Sequence, residues 1–278
     1  MGLQFVVCPN CLGEKYSPWA MENGFSAVRC AACGLLYVNP RPSAELVDVA
    51  VQTGQHCEET GGRSAVARRQ PKAVARYRRI IARLFPELAT AKPLIWLDVG
   101  AGYGETIQAV SGLAPAASRI YGVEPMLPKA RHARSLGLDV EHGYLDPAKH
   151  GPTDYISSVN VFSHVPDFGG MLTQFHEALR PGGEVFLETG NLADLSARGE
   201  FPDELDLPDH LVFAGEDQMR QYLDRAGLDV VTLIEERMDT PLQFTKNVAK
   251  KLLGRPVKLG LPYRSAYRTL LFRARKRD

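Results

Sequence analysis

The chain of 278 residues contains no apolar run close to the roughly 18 residues that a membrane-spanning helix needs. The stretch from Met1 to Val7 lacks the cationic segment, the long apolar segment and the small-residue cleavage site of a secretory signal. Val6 stands where a myristoylation signal has Ser or Thr. We therefore expect a cytoplasmic protein that is not integral to a membrane. The composition, 45% apolar and 23% charged, also argues against disorder and collagen-like structure.

Acidic residues are scarce in two stretches. Eight lysines and arginines lie from Arg63 to Arg83 with no acid among them, and eleven lie from Asp239 to Asp278 against two aspartates. The rest of the chain is therefore net acidic, because the total charge is only +1. Such stretches are often a solvated helix face or tail. The alternative is a surface that attracts an anionic substrate, a nucleic acid or a phospholipid head group.

Four of the five cysteines form two CxxC pairs, Cys8 with Cys11 and Cys30 with Cys33. Two such pairs at this separation are typical of a four-cysteine zinc ribbon. The four thiolates would fill every position of a tetrahedral Zn²⁺ site, so the zinc would be structural. A pair of disulfides is disfavoured without a secretory signal. The fifth cysteine, Cys57, has no CxxC partner and reads as a free thiol.

We expect three regions along the chain. Residues 1–42 form the zinc ribbon, 43–90 a helical linker or lid, and 91–278 an α/β domain with a basic insertion at 240–267. In the linker, apolar residues recur at helical spacing from Gln70 to Leu88 and predict a helix with one buried face. Its other face is basic, and we interpret that face as solvated or as a contact for phosphate.

A glycine-rich turn follows the first buried strand of the α/β domain. The apolar run from Pro93 to Val99 contains Asp98 and leads into Gly100, Ala101, Gly102, Tyr103 and Gly104. Glycine lets ligand atoms approach the backbone without a clash with Cβ. The next strand ends in Glu124, about twenty residues past the glycines, where a carboxylate can accept hydrogen bonds from ribose hydroxyls.

The glycine spacing distinguishes between two nucleotide cofactors. A dinucleotide fingerprint, GxGxxG, would place a glycine at position 105, where this chain has Glu105. That carboxylate would repel a pyrophosphate at the helix N-terminus. A zwitterionic amino-acid tail meets less repulsion, which favours S-adenosylmethionine over NAD.

On these motifs the chain resembles the class I S-adenosylmethionine-dependent methyltransferases, in particular the bacterial small-molecule enzymes related to ubiquinone O-methyltransferases. The resemblance covers roughly residues 67–277. It implies that Asp98 and the glycine turn hold the methionine part of the cofactor and that Glu124 holds the ribose. By the same resemblance Pro125 and Asn160 belong to the cofactor site. The N-terminal ribbon and the NPRP sequence of residues 39–42 that follows it resemble the N-terminal segments of methyltransferases from sugar, glycan and natural-product pathways.

The order of the later elements agrees with this fold class. We predict strands near residues 138–141, 155–159 and 184–188, helices at 171–179 and 218–226, and a final antiparallel pair at 230–236 and 268–273. Alternating strands and helices predict a doubly wound, seven-stranded, mostly parallel sheet.

Two histidines are candidates for the general base that an acceptor hydroxyl requires. His164 follows the fourth strand of the sheet, and His210 lies in the loop before the helix at 218–226. In the ubiquinone-type relatives, carboxylates beside the first histidine can hold a divalent cation. Asn160 and Ser163 stand in their places here, so catalytic magnesium is disfavoured. A structural role for His164 behind the cofactor stays open.

The basic insertion at 240–267 has a helix-like alternation of apolar residues and lysines. The plain interpretation is an amphipathic helix that caps the core. The alternative is a basic lid that selects a phosphate-bearing small-molecule acceptor or touches a membrane peripherally.

Two further functions compete with methylation of a small, anionic or sugar-type acceptor. An RNA methyltransferase is possible in principle because some of these enzymes carry an N-terminal zinc ribbon. The near-neutral total charge and the lack of an Asn-Pro-Pro-Tyr-type motif after the fourth strand disfavour nucleic acid as a partner. The other competitor is a non-catalytic protein that binds S-adenosylmethionine.

Overall fold

The fold is described from a computed structural model that covers residues 2–55, 72–90, 92–201, 203–254 and 261–277. The predicted free thiol Cys57 and three arginines of the first basic stretch, Arg63, Arg68 and Arg69, lie outside these residues.

The described chain forms strands and helices in the following order along the sequence. The strands are β1 (Leu3–Gln4), β2 (Tyr16–Glu22), β3 (Phe25–Cys30), β4 (Leu36–Val38), β5 (Arg41–Pro42), β6 (Ile95–Val99), β7 (Arg119–Glu124), β8 (Val140–His142), β9 (Thr153–Val159), β10 (Leu179–Gly190), β11 (Val212–Phe213), β12 (Leu228–Arg237) and β13 (Arg268–Lys276). The helices are α1 (Ala44–Thr53), α2 (Ala73–Leu84), α3 (Glu105–Ser111), α4 (Leu127–Ser135), α5 (Pro147–His150), α6 (Phe168–Ala178), α7 (Glu216–Arg225) and α8 (Pro241–Leu252).

Seven strands form one sheet in the order β12-β13-β10-β9-β6-β7-β8. Strand β13 runs antiparallel to β12 and β10, and the other four pairings are parallel. Strand β6, in the middle of the five parallel strands, is apolar except for Asp98 because both faces of such a sheet are covered. The predicted doubly wound, mostly parallel sheet of seven strands is therefore confirmed.

Side chains alternate between the two faces of this sheet and build two cores. Leu97 of β6 packs in the larger core with Phe175 of α6 and Leu223 of α7. Its neighbour Trp96 points to the other face and packs in a second core with Ile81 of α2. This alternation follows from the two-residue period of a strand. The sheet is thus held between α6 and α7 on one face and α2 and α3 on the other.

Helix α2 is shorter than the predicted span from Gln70 to Leu88. It ends at Leu84, and a 3₁₀ turn over Pro86–Thr90 follows. Proline lacks the backbone N–H that would continue the helix, which explains the early end. The predicted buried face is present, since Ile81, Leu84 and Leu88 are all buried.

The cysteine-bearing N-terminal segment adjoins the large sheet and shares its core. Strands β2, β3 and β4 form an antiparallel sheet whose fourth strand is β11, from the loop before α7. Cys8 and Tyr37 belong to the same apolar core as residues of the seven-stranded sheet. The Arg29 guanidinium also donates to the carbonyls of Ala193 and Leu195, both at 2.7 Å.

The helix expected in the basic insertion is present as α8, but the expectation that it caps the core is wrong. None of its side chains is fully buried. Phe244 and Val248 are half-buried, and Leu242 and Leu252 are exposed. An amphipathic pattern predicts a helix but does not say what covers its apolar face. Among the described residues, no helix combines the length and apolar character needed to cross a bilayer.

Candidate active site

The turn after β6 is fixed against β7 by backbone hydrogen bonds. The N–H groups of Gly100 and Ala101 both donate to the Val123 carbonyl, at 2.9 and 3.0 Å. Gly100, Gly102 and Gly104 have φ angles of +74°, +56° and +83°. A Cβ added to Gly102 would meet no protein atom within 4 Å. This part of the turn therefore faces open space that a ligand can approach closely.

Asp98 lies just before the turn with a buried carboxylate. The Ser157 hydroxyl donates to its Oδ1 at 2.5 Å, and the Trp96 indole N–H donates to Ser157 at 2.8 Å. Burial raises the pKa of Asp98 to about 7, although the hydrogen bond from Ser157 acts in the opposite direction. A cationic ligand group would favour the ionised carboxylate. The site therefore fits the ammonium group of an amino-acid tail.

Glu124 ends β7 and turns its buried carboxylate toward the glycine turn. Its Oε2 accepts a hydrogen bond from the Gly102 N–H at 2.7 Å, and its Oε1 accepts one from the Met126 N–H at 2.9 Å. An ionised carboxylate has about four acceptor sites, so lone pairs remain for ribose hydroxyls. The structure thus brings Asp98, Glu124 and the glycine turn together at the carboxyl edge of the sheet.

Two other predicted cofactor residues lie beside the same turn. The Tyr103 ring meets the His132 ring edge to face, with centroids 5.2 Å apart. The Pro125 carbonyl is 3.0 Å from His142 Nε2. Their contact with a cofactor stays a prediction.

Asn160 directly follows β9 and adopts a left-handed conformation, with φ of +56°. Its backbone N–H donates to the Glu188 carbonyl at 3.0 Å, and its side-chain amide donates to Glu188 Oε1 at 3.4 Å. Asparagine tolerates this conformation better than most residues. The contacts fix Asn160 at the carboxyl edge, where its role toward the cofactor stays a prediction.

An ion pair beside Asn160 was not predicted from the sequence. Arg76 of α2 donates to both carboxylate oxygens of Glu188, at 2.8 and 2.9 Å, and to Glu236 at 2.9 Å. Burial raises the pKa of Glu188, while Arg76 acts to lower it. The interpretation of the basic face of α2 as fully solvated is therefore wrong at Arg76. No sequence signal connects Arg76 with a carboxylate so distant along the chain.

The two candidate bases, His164 and His210, are neighbours. Their ring centroids are 4.6 Å apart. His164 Nδ1 lies 3.0 Å from the Asp209 carbonyl and 3.5 Å from the Asp209 carboxylate. His210 Nδ1 lies 2.8 Å from the Leu205 carbonyl. A carbonyl can only accept, so each neutral ring carries its proton on Nδ1 and keeps the Nε2 lone pair.

Burial, together with a smaller effect of the neighbouring His164, lowers the pKa of His210 to about 4. His210 is therefore uncharged at neutral pH, and its Nε2 lone pair is a weak proton acceptor. The turn that carries His164 begins beside the glycine turn, because a Cβ on Gly100 would lie 2.5 Å from Val161. The His164 N–H donates to the Val161 carbonyl at 3.0 Å. Both histidines thus belong to the edge that holds Asp98.

Leu211, next to His210, connects the histidine loops with the N-terminal sheet. Its N–H donates to the Ser163 carbonyl at 2.6 Å, and its carbonyl accepts from the Val38 N–H at 2.8 Å. The Gln218 side chain also donates to the Cys33 carbonyl at 2.6 Å. The position of His210 therefore depends on contacts with the N-terminal sheet.

The four cysteine sulfurs all lie within 4.8 Å of one another. The Cys8–Cys33 and Cys11–Cys30 sulfur pairs are each 3.5 Å apart. A tetrahedron with Zn–S bonds of about 2.3 Å separates its sulfurs by about 3.8 Å, so the arrangement fits Zn²⁺.

A doubly wound sheet of seven strands, with a glycine turn between two buried carboxylates, defines the class I fold of S-adenosylmethionine-dependent methyltransferases. A family model described as a methyltransferase domain matches residues 67–233. The match covers more than half of the chain, so the chain belongs to this family.

Similar proteins agree with this membership. The chain is 30% identical over 101 residues to a ubiquinone biosynthesis O-methyltransferase of Pseudomonas syringae pv. tomato, covering 34% of this chain and 44% of that protein. The chain thus spans less than half the length of the curated relatives it matches.

Two solved structures share the fold. A phosphoethanolamine N-methyltransferase 2 of Haemonchus contortus has a TM-score of 0.54 at 16% identity, covering 73% of this chain and 53% of that one. The [4+2]-cyclase SpnF has a TM-score of 0.50 at 15% identity, covering 72% and 81%. The second neighbour shows that the fold alone does not fix the reaction.

Proposed function

We propose that this protein binds S-adenosylmethionine at the glycine turn and transfers its methyl group to a small-molecule acceptor. The observation that carries the proposal is the convergence of two buried carboxylates, Asp98 and Glu124, on the turn at Gly102. Asp98 would hold the ammonium group and Glu124 the ribose. Family membership supports the same cofactor.

The histidines would prepare the acceptor. Bound S-adenosylmethionine supplies an electrophilic methyl group on a sulfonium. His210 Nε2 would accept the proton of an acceptor hydroxyl, which leaves the oxygen lone pair free to attack. His164 would hold the same hydroxyl or share the proton, since its Nε2 also carries a lone pair. Catalysis then rests on orientation, exclusion of water and one proton transfer.

We further propose an anionic or sugar-type acceptor of a glycan or natural-product pathway. The lysines of α8 support an anionic group, because they project from a helix that contains no acid. The resemblance of the ribbon and of residues 39–42 to sugar and glycan methyltransferases supports the pathway class. Mass spectrometry of acceptor mixtures, with a search for a gain of one methyl group, tests this step.

The four cysteines would hold a structural zinc. All four ligand positions come from protein, so this metal would have no open position for an acceptor or for water. Metal content of the purified chain, compared with a Cys11→Ser and Cys30→Ser double variant, tests the assignment. A wild-type chain without zinc would contradict it.

Calorimetry with S-adenosylmethionine and its demethylated product tests the central proposal. We expect binding by the wild-type chain and loss of binding in the Asp98→Ala and Glu124→Ala variants, because each removes a buried anchor. If the wild-type chain shows no heat and no thermal shift with either compound, the proposal fails.

The role of His210 needs a separate experiment. We expect His210→Asn to lower turnover about 10²- to 10⁴-fold while cofactor affinity stays the same. His176→Asn, on the C-terminal turn of α6, is the matched control. Equal turnover of the two variants would remove His210 from the mechanism.

A further inference from the structure

We propose that α8 docks on the surface of an anionic phospholipid bilayer. Exposed large apolar side chains cluster on and around this helix. Leu242 is 64% exposed, Leu252 83% and Leu253 77%, and Leu261 and Tyr263 beyond the helix are also exposed. Isolated exposed apolar residues are ordinary on a protein surface, but a concentration of them marks an interaction site.

Three exposed apolar residues share one side of the helix. Leu242, Ala249 and Leu253 follow one another at intervals of seven and four residues, which places them within about 40° on the helix surface. Phe244 and Val248 are half-buried and lie on the opposite side of the helix from Leu242. The apolar residues of α8 therefore extend beyond the part that the protein covers. The uncovered part forms a lengthwise stripe, here called the α8 stripe, consisting of Leu242, Ala249 and Leu253.

Cationic side chains border the α8 stripe. Lys246 lies beside Leu242 and Ala249 on the helix surface, and Lys250 lies next to Lys246. Helix α8 carries no acid. The acid nearest to α8 along the chain, Asp239, is already paired with Arg237 at 3.1 Å. The surface therefore combines exposed leucines with lysines that form no salt bridge with any of the described residues.

An anionic bilayer can bind both the exposed leucines and the lysines of this surface. Leucines enter the boundary between head groups and acyl chains, and lysines stay at the level of the phosphates. A free phosphate or a small acceptor in water would use the lysines alone. RNA contacts rely on positive charge and on stacking with aromatic rings, and the α8 stripe contains no aromatic residue. A second copy of the chain would place like-charged lysines opposite one another.

The position of α8 in the fold determines which edge of the protein would face the bilayer. Strand β12 ends at Arg237, and α8 begins at Pro241. Glu236, near the end of β12, pairs with Arg76, which also holds Glu188 beside Asn160. Helix α8 thus starts at the edge of the sheet that carries the candidate active site. Docking through the α8 stripe would turn this edge toward the bilayer.

Vesicle co-sedimentation of the purified full chain tests the proposal. We expect the chain to sediment with vesicles that contain phosphatidylglycerol and to stay in the supernatant with vesicles of phosphatidylcholine alone. The Leu242→Asp and Leu253→Asp double variant should bind the anionic vesicles at least about tenfold more weakly, since it removes two apolar anchors. A double variant at Phe5 and Met21, both also changed to Asp, alters equally exposed apolar residues elsewhere and should bind like wild type.

Charge is tested separately. Lys246→Glu and Lys250→Glu should each weaken binding by about fivefold or more, because each lysine near an anionic surface contributes about that much. Lys15→Glu and Lys92→Glu reverse equally exposed charges away from α8 and should bind nearly as wild type. Raised salt should release the wild-type chain from the vesicles.

Three results would overturn the proposal. The first is a wild-type chain that ignores phosphatidylglycerol vesicles. The second is equal binding by the leucine variant and the variant at Phe5 and Met21. The third is a wild-type oligomer that the leucine variant converts to monomer, which would assign the α8 stripe to a second copy. Sedimentation is measured without S-adenosylmethionine, so its outcome is independent of the proposed methyl transfer.

Discussion

Replacing Gly102 with alanine separates the role of the glycine turn in folding from its role in cofactor binding. Gly102 has φ of +56°, and a Cβ there would point into open space. Gly137, in the turn after α4, has φ of +78° and is equally open. Gly137→Ala is therefore a matched control. Both changes impose the same backbone strain, but only the methyl group at Gly102 would point at the proposed cofactor.

The structure sets the expected magnitudes. A residue with Cβ in the left-handed region costs about 1–2 kcal/mol. Both variants should therefore unfold at a temperature lower by about 2–8 °C. A methyl group that overlaps a bound ligand costs about 1–3 kcal/mol more. The affinity for S-adenosylmethionine should thus fall about 5- to 150-fold in Gly102→Ala and stay unchanged in Gly137→Ala.

Thermal unfolding and isothermal titration with S-adenosylmethionine measure the two effects on the same samples. Suppose that Gly102→Ala binds S-adenosylmethionine with wild-type affinity and loses as much stability as Gly137→Ala. This result would refute the proposal that the glycine turn binds the cofactor. A much larger loss of stability in Gly102→Ala alone would show that the space at Gly102 is not open.

Three further predictions concern stability and pH. Burial raises the pKa of Asp98 to about 7 from an ordinary 3.8, so between these pH values the folded state holds a proton that the unfolded state releases. The free energy of unfolding should therefore fall as pH rises from about 4 to about 7. Asp98→Asn should remove this pH dependence in denaturant titrations, and an unchanged pH dependence would contradict the raised pKa. Arg76→Met should lower the free energy of unfolding by about 3–5 kcal/mol because it leaves Glu188 buried without its cation. Adding Glu188→Gln to Arg76→Met should restore most of that stability. A smaller effect of Arg76→Met alone would show that the ion pair is solvated. Cys30→Ser should lower both zinc content and the melting temperature of the whole chain, because Cys30 lies in the core shared with the large sheet; separate melting of the N-terminal sheet would argue against that coupling.

The sequence was sufficient to predict the seven-stranded sheet and the glycine turn because their signals are local. A buried parallel strand is a short apolar run, and the turn after β6 needs glycine at particular positions. Glu124 could be paired with the turn because parallel strands end at one edge. The two carboxylates and the turn are accordingly where the sequence placed them.

Contacts between distant segments had no comparable signal. Strand β11 is only two residues long, and its partner β4 belongs to the N-terminal sheet. The pairing of Arg76 with Glu188 depends on how α2 crosses the sheet. The proximity of His164 and His210 depends on two loops that meet through Leu211. Helix α8 was predictable as a helix, but its exposed apolar side was not, since periodicity is the same whether protein or solvent covers that side.

The hydrogen bonds of Leu211 connect the cysteine-bearing sheet to the two histidines. If that sheet loosens when zinc is withdrawn, Val38 can no longer hold the Leu211 carbonyl, and the loop of His210 loses one of its two fixed points. The core that Cys8 and Cys30 share with Val99 and Val123 also reaches the strand ends that carry the glycine turn and Glu124. Under the proposed function, withdrawal of the metal would therefore lower turnover by displacing His210 and would also loosen the core beneath the cofactor site.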